Sequence, residues 1–378
     1  MRRLLSLEGM GLRGAVIVLI ALLARGALAA ADTMSLTYGG YAFAGNAGDI
    51  SRGYPYASSV DRSGSEGTSL IGSSVNAFMR AHPDSIPGVS LSFGLIQKDQ
   101  PALVLALALT DEKVLRENIA DMHKLVVGLG LELLTLDFAD MQVISSVPIT
   151  LELVDAQETP FSDSDVTDRV RAMLIGDNTQ LSKILSDKLR LVTIRSRNAC
   201  TLQVSAVAVG DKALPFLPDS LKAAPAAYGR SVAQQFGSLL NARAGVAMLP
   251  YSKDGLNSRM ALRFSDGSVL QFRIPEPTYA IDLNVMGFKK VLSQRTDSES
   301  LWIYGAYLGV KVFEPEFQKV YYEGTAKYPV SKVVPASQRT VDEFPVVSEA
   351  LKGAFLNAID LLRNDPSTRD SVLNKCKL

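Results

Sequence analysis

His82 and His123 are the only imidazoles in this chain. Any Ser/His/Asp or Cys/His mechanism must use one of them, since imidazole is the side chain that moves protons near neutrality. His82 precedes Pro83 in a polar connector and reads as solvated surface. His123 lies between Met122 and Lys124 and reads as a partly exposed position on a helix predicted over 111–127. No Gly-x-Ser-x-Gly elbow is available to display a nucleophile. A hydrolase using His82 or His123 is therefore the third reading, behind two non-catalytic ones.

Metal and phosphate chemistry are thinly provided for. The histidines stand 41 positions apart, and no His or Cys cluster has zinc spacing. Asp163-Ser164-Asp165 with Asp168 gathers three carboxylates, but the Gly and closing Glu of a calcium loop are missing. The cluster reads better as the acidic first turn of a helix, where the dipole favours negative charge. Gly128-Leu129-Gly130 follows a predicted helix and does not open one, so it reads as a helix stop and not as a nucleotide loop. No cofactor and no metal is expected.

What remains is aromatic. Trp302, Tyr304, Tyr307, Phe313, Phe317, Tyr321 and Tyr322 cluster in one stretch. On a strand, Trp302, Tyr304 and Ala306 share one face, while Ile303, Gly305 and Tyr307 share the other. One face is expected to be core and the other a surface for a partner or a glycan, because amphipathic aromatics are enriched at interfaces. A second set, Tyr38, Tyr41 and Tyr54, lies in a Gly/Ser/Tyr-rich segment over 30–67 that reads as an arm docking on a partner or lying over its own domain. The candidate partner-binding residues are thus Trp302, Tyr304, Tyr307, Tyr321, Tyr38, Tyr41 and Tyr54.

The elements that must position these residues follow from periodicity. A helix is predicted over 68–81. Alternation at Val89, Leu91, Phe93 and Leu95, then at Leu103, Leu105, Leu107 and Leu109, predicts a hairpin turning at Gln97-Lys98-Asp99-Gln100-Pro101. Thr110 is placed to cap the helix over 111–127, whose apolar positions are Val114, Leu115, Ile119, Met122, Leu125 and Val126. A hairpin over 131–138 and 141–154, helices over 163–175 and 179–188, and a strand over 190–209 complete a first α+β unit, 68–210. Pro215 and Pro218 mark a connector near 211–224. The second unit, 225–365, carries a helix over 225–242 and a short strand at 246–250. Its meander runs through 258–265 and 268–274, turning at Asp266-Gly267, then 278–292, 300–313 and 317–323. A last helix over 343–363 precedes a tail, 366–378. The expected fold is α+β: two similar units, each an antiparallel sheet covered by helices on one face.

The first 29 residues set the compartment. Arg2, Arg3 and Arg13 precede an apolar run from Ala15 to Ala24, and Ala27-Leu28-Ala29 offers a small-residue cleavage site. This is the pattern of a secretory signal peptide, whether through the general or the twin-arginine route. The run is about half the ~20 residues of a membrane span, and no later stretch reaches that length. No cysteine near the cut permits lipidation. Cleavage removes four arginines and one glutamate, leaving 35 basic against 38 acidic residues, a net charge of about −3. Nothing in that balance suits nucleic acid, which demands clustered positive charge. Cys200 and Cys376 then sit in an oxidising compartment, where an even pair invites one disulfide. Closing a loop of about 175 residues is worth roughly 4–5 kcal/mol in the chain-entropy model.

The stretch 225–323 resembles the periplasmic α/β domains of envelope-assembly proteins, such as the curli secretion lipoprotein and the N-terminal domain of the Tol translocation protein. The resemblance rests on a helix carrying Phe236, Leu239 and Leu240, on Ala244-Gly245-Val246-Ala247-Met248-Leu249-Pro250, and on Leu301-Trp302-Ile303-Tyr304-Gly305-Ala306-Tyr307. It covers about a quarter of the chain and implies contact with other envelope proteins. The leading expectation is an exported, periplasmic or secreted, non-catalytic protein acting by protein–protein contact in envelope assembly, secretion or surface-structure biogenesis. The alternative is a binding module for a small molecule or polysaccharide, with its pocket between the two units.

Overall fold

The computed structural model describes residues 34–45, 48, 50–64, 68–94, 103–196, 199–252, 255–256, 258–338 and 340–377. The predicted signal peptide, 1–29, and the predicted turn, 97–101, lie outside the described residues. The chain is mixed α and β, with two sheets among the described residues. The larger contains β1 (Met34–Ala44), β2 (Val89–Ser92), β3 (Leu103–Ile119), β4 (Met122–Asp137), β5 (Gln142–Gln157), β7 (Arg259–Phe264) and β8 (Val269–Arg273), in the order β2-β1-β3-β4-β5-β8-β7. An added β1–β7 pairing closes the ring. The smaller sheet runs β11 (Lys319–Pro335), β10 (Glu299–Glu314), β9 (Tyr279–Arg295) and β6 (Leu202–Lys212).

Two expectations about the first unit are corrected. The segments around 89 and 103 do not form a hairpin with each other. β1 lies between them and is parallel to both. Alternation specifies a strand face, but it does not name the neighbouring strand. The larger correction is at 111–127, which is no helix: β3 runs on to Ile119, turns at Ala120-Asp121, and β4 begins at Met122. Ala120 carries the turn at φ 53°. β4 pairs with strands on both edges and is buried on both faces. Apolar residues on both sides of a strand produce spacings that coincide with a helical stripe. Gly128 and Gly130 sit mid-strand and stop nothing. A Cβ at Gly130 would lie 2.1 Å from Gln234 Oε1, so this glycine admits a side chain from a helix packed on the sheet.

The sheets are mixed and not purely antiparallel, since β1–β2, β1–β3 and β6–β9 are parallel. Within the predicted 30–67 segment, β1 and a helix, α1 (Pro55–Arg62), bury Leu36, Tyr38, Tyr41, Phe43 and Tyr54. With α2 (Leu70–Ala81), α3 (Asp163–Leu174) and α4 (Gln180–Leu189) they cover one face of the larger sheet, over Leu105, Leu107, Leu131 and Leu133. Inside the ring, Ala42, Ala106 and Ala108 leave room for Phe264 and Phe272, the small-against-large filling of a narrow barrel.

The other predicted helices fold close to their expected ranges, while the predicted strand at 246–250 is reduced to isolated bridges. Ser69 caps α2 through Gly72 N. Ser162 and Asp165 form a reciprocal capping box on α3, which accounts for part of the acidic cluster there. Helix α5 (Pro225–Ala244) ends at Gly245 in the left-handed region, φ 60°. Helix α6 (Phe344–Asn364) joins α5 over one face of the smaller sheet. β11 extends well past the predicted 317–323 because it is an edge strand, where Pro329 and its lysines are tolerated. The predicted strand over 190–209 is shifted to 202–212.

Residues 246–249 join the two sheets. Ser146 N donates to Met248 O at 2.7 Å on the β5 side, while Leu202 N donates to Ala247 O at 2.9 Å on the β6 side. Ala247 N donates in turn to Cys376 O at 3.0 Å, and Cys200 is disulfide-bonded to Cys376. The tail is thereby clamped against the joint.

Candidate functional site

The aromatic strands divide their residues between two environments. Tyr304, Ala306, Leu308 and Val310 face α5 and α6 and are buried. Tyr304 is 0% exposed. Its hydroxyl donates to Glu343 Oε1 at 3.2 Å, and the same carboxylate holds an ion pair with Lys290. Lys290 Nζ lies 4.3 Å from the Trp302 ring centroid, within cation–π range. Burial, then the Glu343 carboxylate, raises the Tyr304 phenol above its ordinary value. Burial acts to lower the Lys290 ammonium, but Glu343 outweighs it and holds it above its usual range. These contacts anchor α6 to the sheet.

The opposite face is open. Register places Val291 and Ile303 side by side, Lys289 beside Gly305, and Lys327 beside Tyr307. Tyr307 is 36% exposed and its ring reaches back over Gly305, 3.7 Å from where a Cβ there would stand. Met286 occupies the extra position of a β-bulge, with its sulfur over Gly309. The two glycines make room for the two larger side chains. Val333, 51% exposed, and Val291 extend the apolar patch toward the 295–299 turn, while Asp282 and Asn284 bound it on the side of β6. No helix covers this face among the described residues. Neither Lys289 nor Lys327 has an ion-pair partner among them, so the patch is apolar at its centre and positive at its flanks.

The sequence-derived candidates distribute accordingly. Tyr307 lies on the open face. Trp302 and Tyr321 are half-buried, Trp302 under Lys290 and Tyr321 edge-on to Tyr279 at 5.3 Å, with its hydroxyl donating to Glu314 Oε2 at 3.2 Å. Tyr304, Tyr38, Tyr41 and Tyr54 are buried in the two main cores, which removes them from any surface. The structure therefore does not bring the seven candidates together. Met286, Lys289, Val291, Lys327 and Val333 were missed, although alternation carried through 279–295 would have put the first three on or beside one face.

His82 bonds the Phe78 carbonyl through Nδ1 at 2.8 Å and stacks on its ring. His123 lies on β4, with Nδ1 2.7 Å from Asn118 Oδ1. Neither imidazole is hydrogen-bonded to a serine hydroxyl or a carboxylate among the described residues. Among the described residues no three His, Cys, Asp or Glu side chains are grouped to hold a metal, and no helix is long and apolar enough to cross a membrane.

No protein-family model matches the chain, and neither does any curated protein. Among solved structures it is similar to a putative neuraminyllactose-binding hemagglutinin homolog from Helicobacter pylori, at 10% identity and TM-score 0.28, over 48% of this chain and 97% of that one. It is similar to the hypothetical protein CT253 from Chlamydia trachomatis at 10% identity and TM-score 0.22, over 47% and 98%. Protein XCC0632 from Xanthomonas campestris, of the DUF330 family, matches at 12% identity and TM-score 0.19, over 46% and 87%.

Proposed function

We propose that this is an exported, non-catalytic protein of the periplasm or cell exterior that acts by protein–protein contact in envelope assembly, secretion or surface-structure biogenesis. The open face of β9–β11 is its docking surface. The observation that carries this reading is the patch itself. Tyr307, Met286, Val291 and Val333 are exposed on a sheet whose other face packs on α5 and α6, and Lys289 and Lys327 flank them without ion-pair partners among the described residues. Contiguous exposed apolar area on a folded domain marks an interaction site. Unpaired lysines at its flanks select an occupant of complementary charge. The occupant is a protein segment with an apolar face and acidic flanks. The leader-like first 29 residues and the Cys200–Cys376 disulfide support export.

A photo-crosslinking residue at position 307, in cells making the full chain, tests this. One dominant envelope protein should be captured, and Lys289→Glu with Lys327→Glu should reduce its capture roughly tenfold, as loss of complementary charge requires, with the thermal transition kept. Capture of a second copy of this chain, or capture unmoved by charge reversal, would sink the assignment of that partner.

A further inference from the structure

A cleft of about 420 Å³ opens on the opposite part of the fold, between the α1 entry and β3. Its lining is Arg52, Gly53, Pro55, Tyr56, Glu112, Val114 and Arg116. The volume lies within the roughly 300–1,000 Å³ typical of small-molecule sites. We propose that this cleft binds a pyranose sugar, as a free monosaccharide or as the end of a glycan, independently of the docking face.

The argument begins at Glu112. A bulge between Leu109 and Asp111 turns this residue toward α1. Its two oxygens accept Tyr56 N at 3.0 Å and Ala57 N at 2.7 Å. Tyr54, which precedes the helix, makes no side-chain cap, so Glu112 caps it from another strand. The helix end is thereby occupied and is not itself an anion site. Each carboxyl oxygen keeps a second acceptor position. Burial raises this carboxyl to about 7, against the two amide hydrogen bonds, so near neutrality it both accepts and donates.

The walls are held by a second network. Tyr56 Oη donates to Asp163 Oδ1 at 2.9 Å and accepts from Arg116 Nη2 at 3.1 Å, while Arg116 pairs with Asp163 at 2.5 Å. The phenol ring and the guanidinium are therefore fixed before any ligand arrives, which limits the ordering cost of binding. Pro55, the Tyr56 ring and Val114 supply apolar surface next to the planar polar groups of Glu112, Arg52 and Arg116. A pyranose has the matching division: a C–H face, and a rim of hydroxyls that donate and accept. A fatty ligand would offer nothing to the remaining acceptor positions of the Glu112 carboxyl.

Saturation-transfer NMR on the full chain, with millimolar glucose, N-acetylglucosamine and glucuronate as separate probes, tests the site. At least one sugar should receive saturation, and a preference for glucuronate would assign the two arginines as its selectors. Gly53→Trp should abolish the signal. Gly53 is exposed and a Cβ there meets nothing within 4 Å, so this blocking variant should fold even if Tyr56→Ala does not. Arg116→Ala should weaken binding roughly tenfold, and Tyr307→Ala should leave it unchanged. Silence from all three sugars, or a signal that survives Gly53→Trp, would overturn the proposal.

Discussion

The strands β3–β5 and the strands β9–β11 are two long antiparallel triplets of nearly equal length, yet they live in different solvents. In the first triplet β4, residues 104–109 of β3 and residues 142–149 of β5 are buried on both faces, between the helices α1–α4 on one side and the ring interior and α5 on the other. The second is buried on one face only. In that doubly buried part a polar side chain has no water to turn to. The second can leave lysines and a tyrosine hydroxyl to water, and it is the one with surface to offer a partner. The difference comes from what packs on each sheet, since both triplets contain enough apolar residues for a core.

Glu132 puts that comparison to its hardest test. It lies in the middle of β4, fully buried, and neither its Oε2 nor the nearby Ser146 Oγ has a hydrogen-bond partner. Burial raises its carboxyl to about 8. The unfolded chain releases this proton near 4.5, while the folded chain keeps it to about 8. Between those values the folded state binds more protons, so stability falls as pH rises and levels off above about 8. Glu132→Gln should match the parent near pH 4.5 and exceed it at pH 9 by up to about 5 kcal/mol, at ~1.4 kcal/mol per pH interval. Denaturant titrations at several pH values measure this, and parallel profiles for the two proteins would show that the first triplet is not as dry as described.

The second triplet is tested by neighbours two residues apart. Tyr304→Ala removes a buried ring and its bond to Glu343, and should cost about 3–5 kcal/mol. Tyr307→Ala, on the other face, should change stability by less than about 0.5 kcal/mol. Equal losses in denaturant unfolding would mean that the outer face is covered after all. Smaller again than the Tyr304 loss is the expected effect of Gly130→Ala. Its Cβ meets the buried Gln234 amide, which bonds Thr110 Oγ1 at 3.0 Å. Displacing that amide should cost about 1–3 kcal/mol. A neutral result would show that α5 is free to shift away from β4.

Much of this contrast is legible in the residues themselves. Strict alternation through Tyr304, Ala306 and Leu308 announces a one-sided strand, and the 344–364 helix is plain from its apolar stripe. The candidate site was legible only in part. Tyr307 could be assigned to the face opposite Tyr304, but which of the two faces is open depends on where α5 and α6 lie. Tyr38, Tyr41 and Tyr54 looked like an accessible set because glycines surround them, and only the packing of β1 under α1 and α2 removes them from the surface. The Glu112 cleft was invisible because Thr110-Asp111-Glu112 is also a good helix start. A carboxylate that caps a helix from a remote strand carries no local mark.

By itself the sequence determined the leader-like start, the apolar stripes of the helices that do form, the Asp266-Gly267 turn and the one-sided strands of the meander. Each of these is settled within a few residues by side-chain periodicity and backbone preference. Only the tertiary structure decided that 111–127 is a hairpin, that β1 separates β2 from β3, and that one sheet is enclosed while the other stays open. Backbone hydrogen-bond partners and the covering of a second face come from distant parts of the chain. A doubly buried strand and a helix can share the same apolar spacing until those parts arrive.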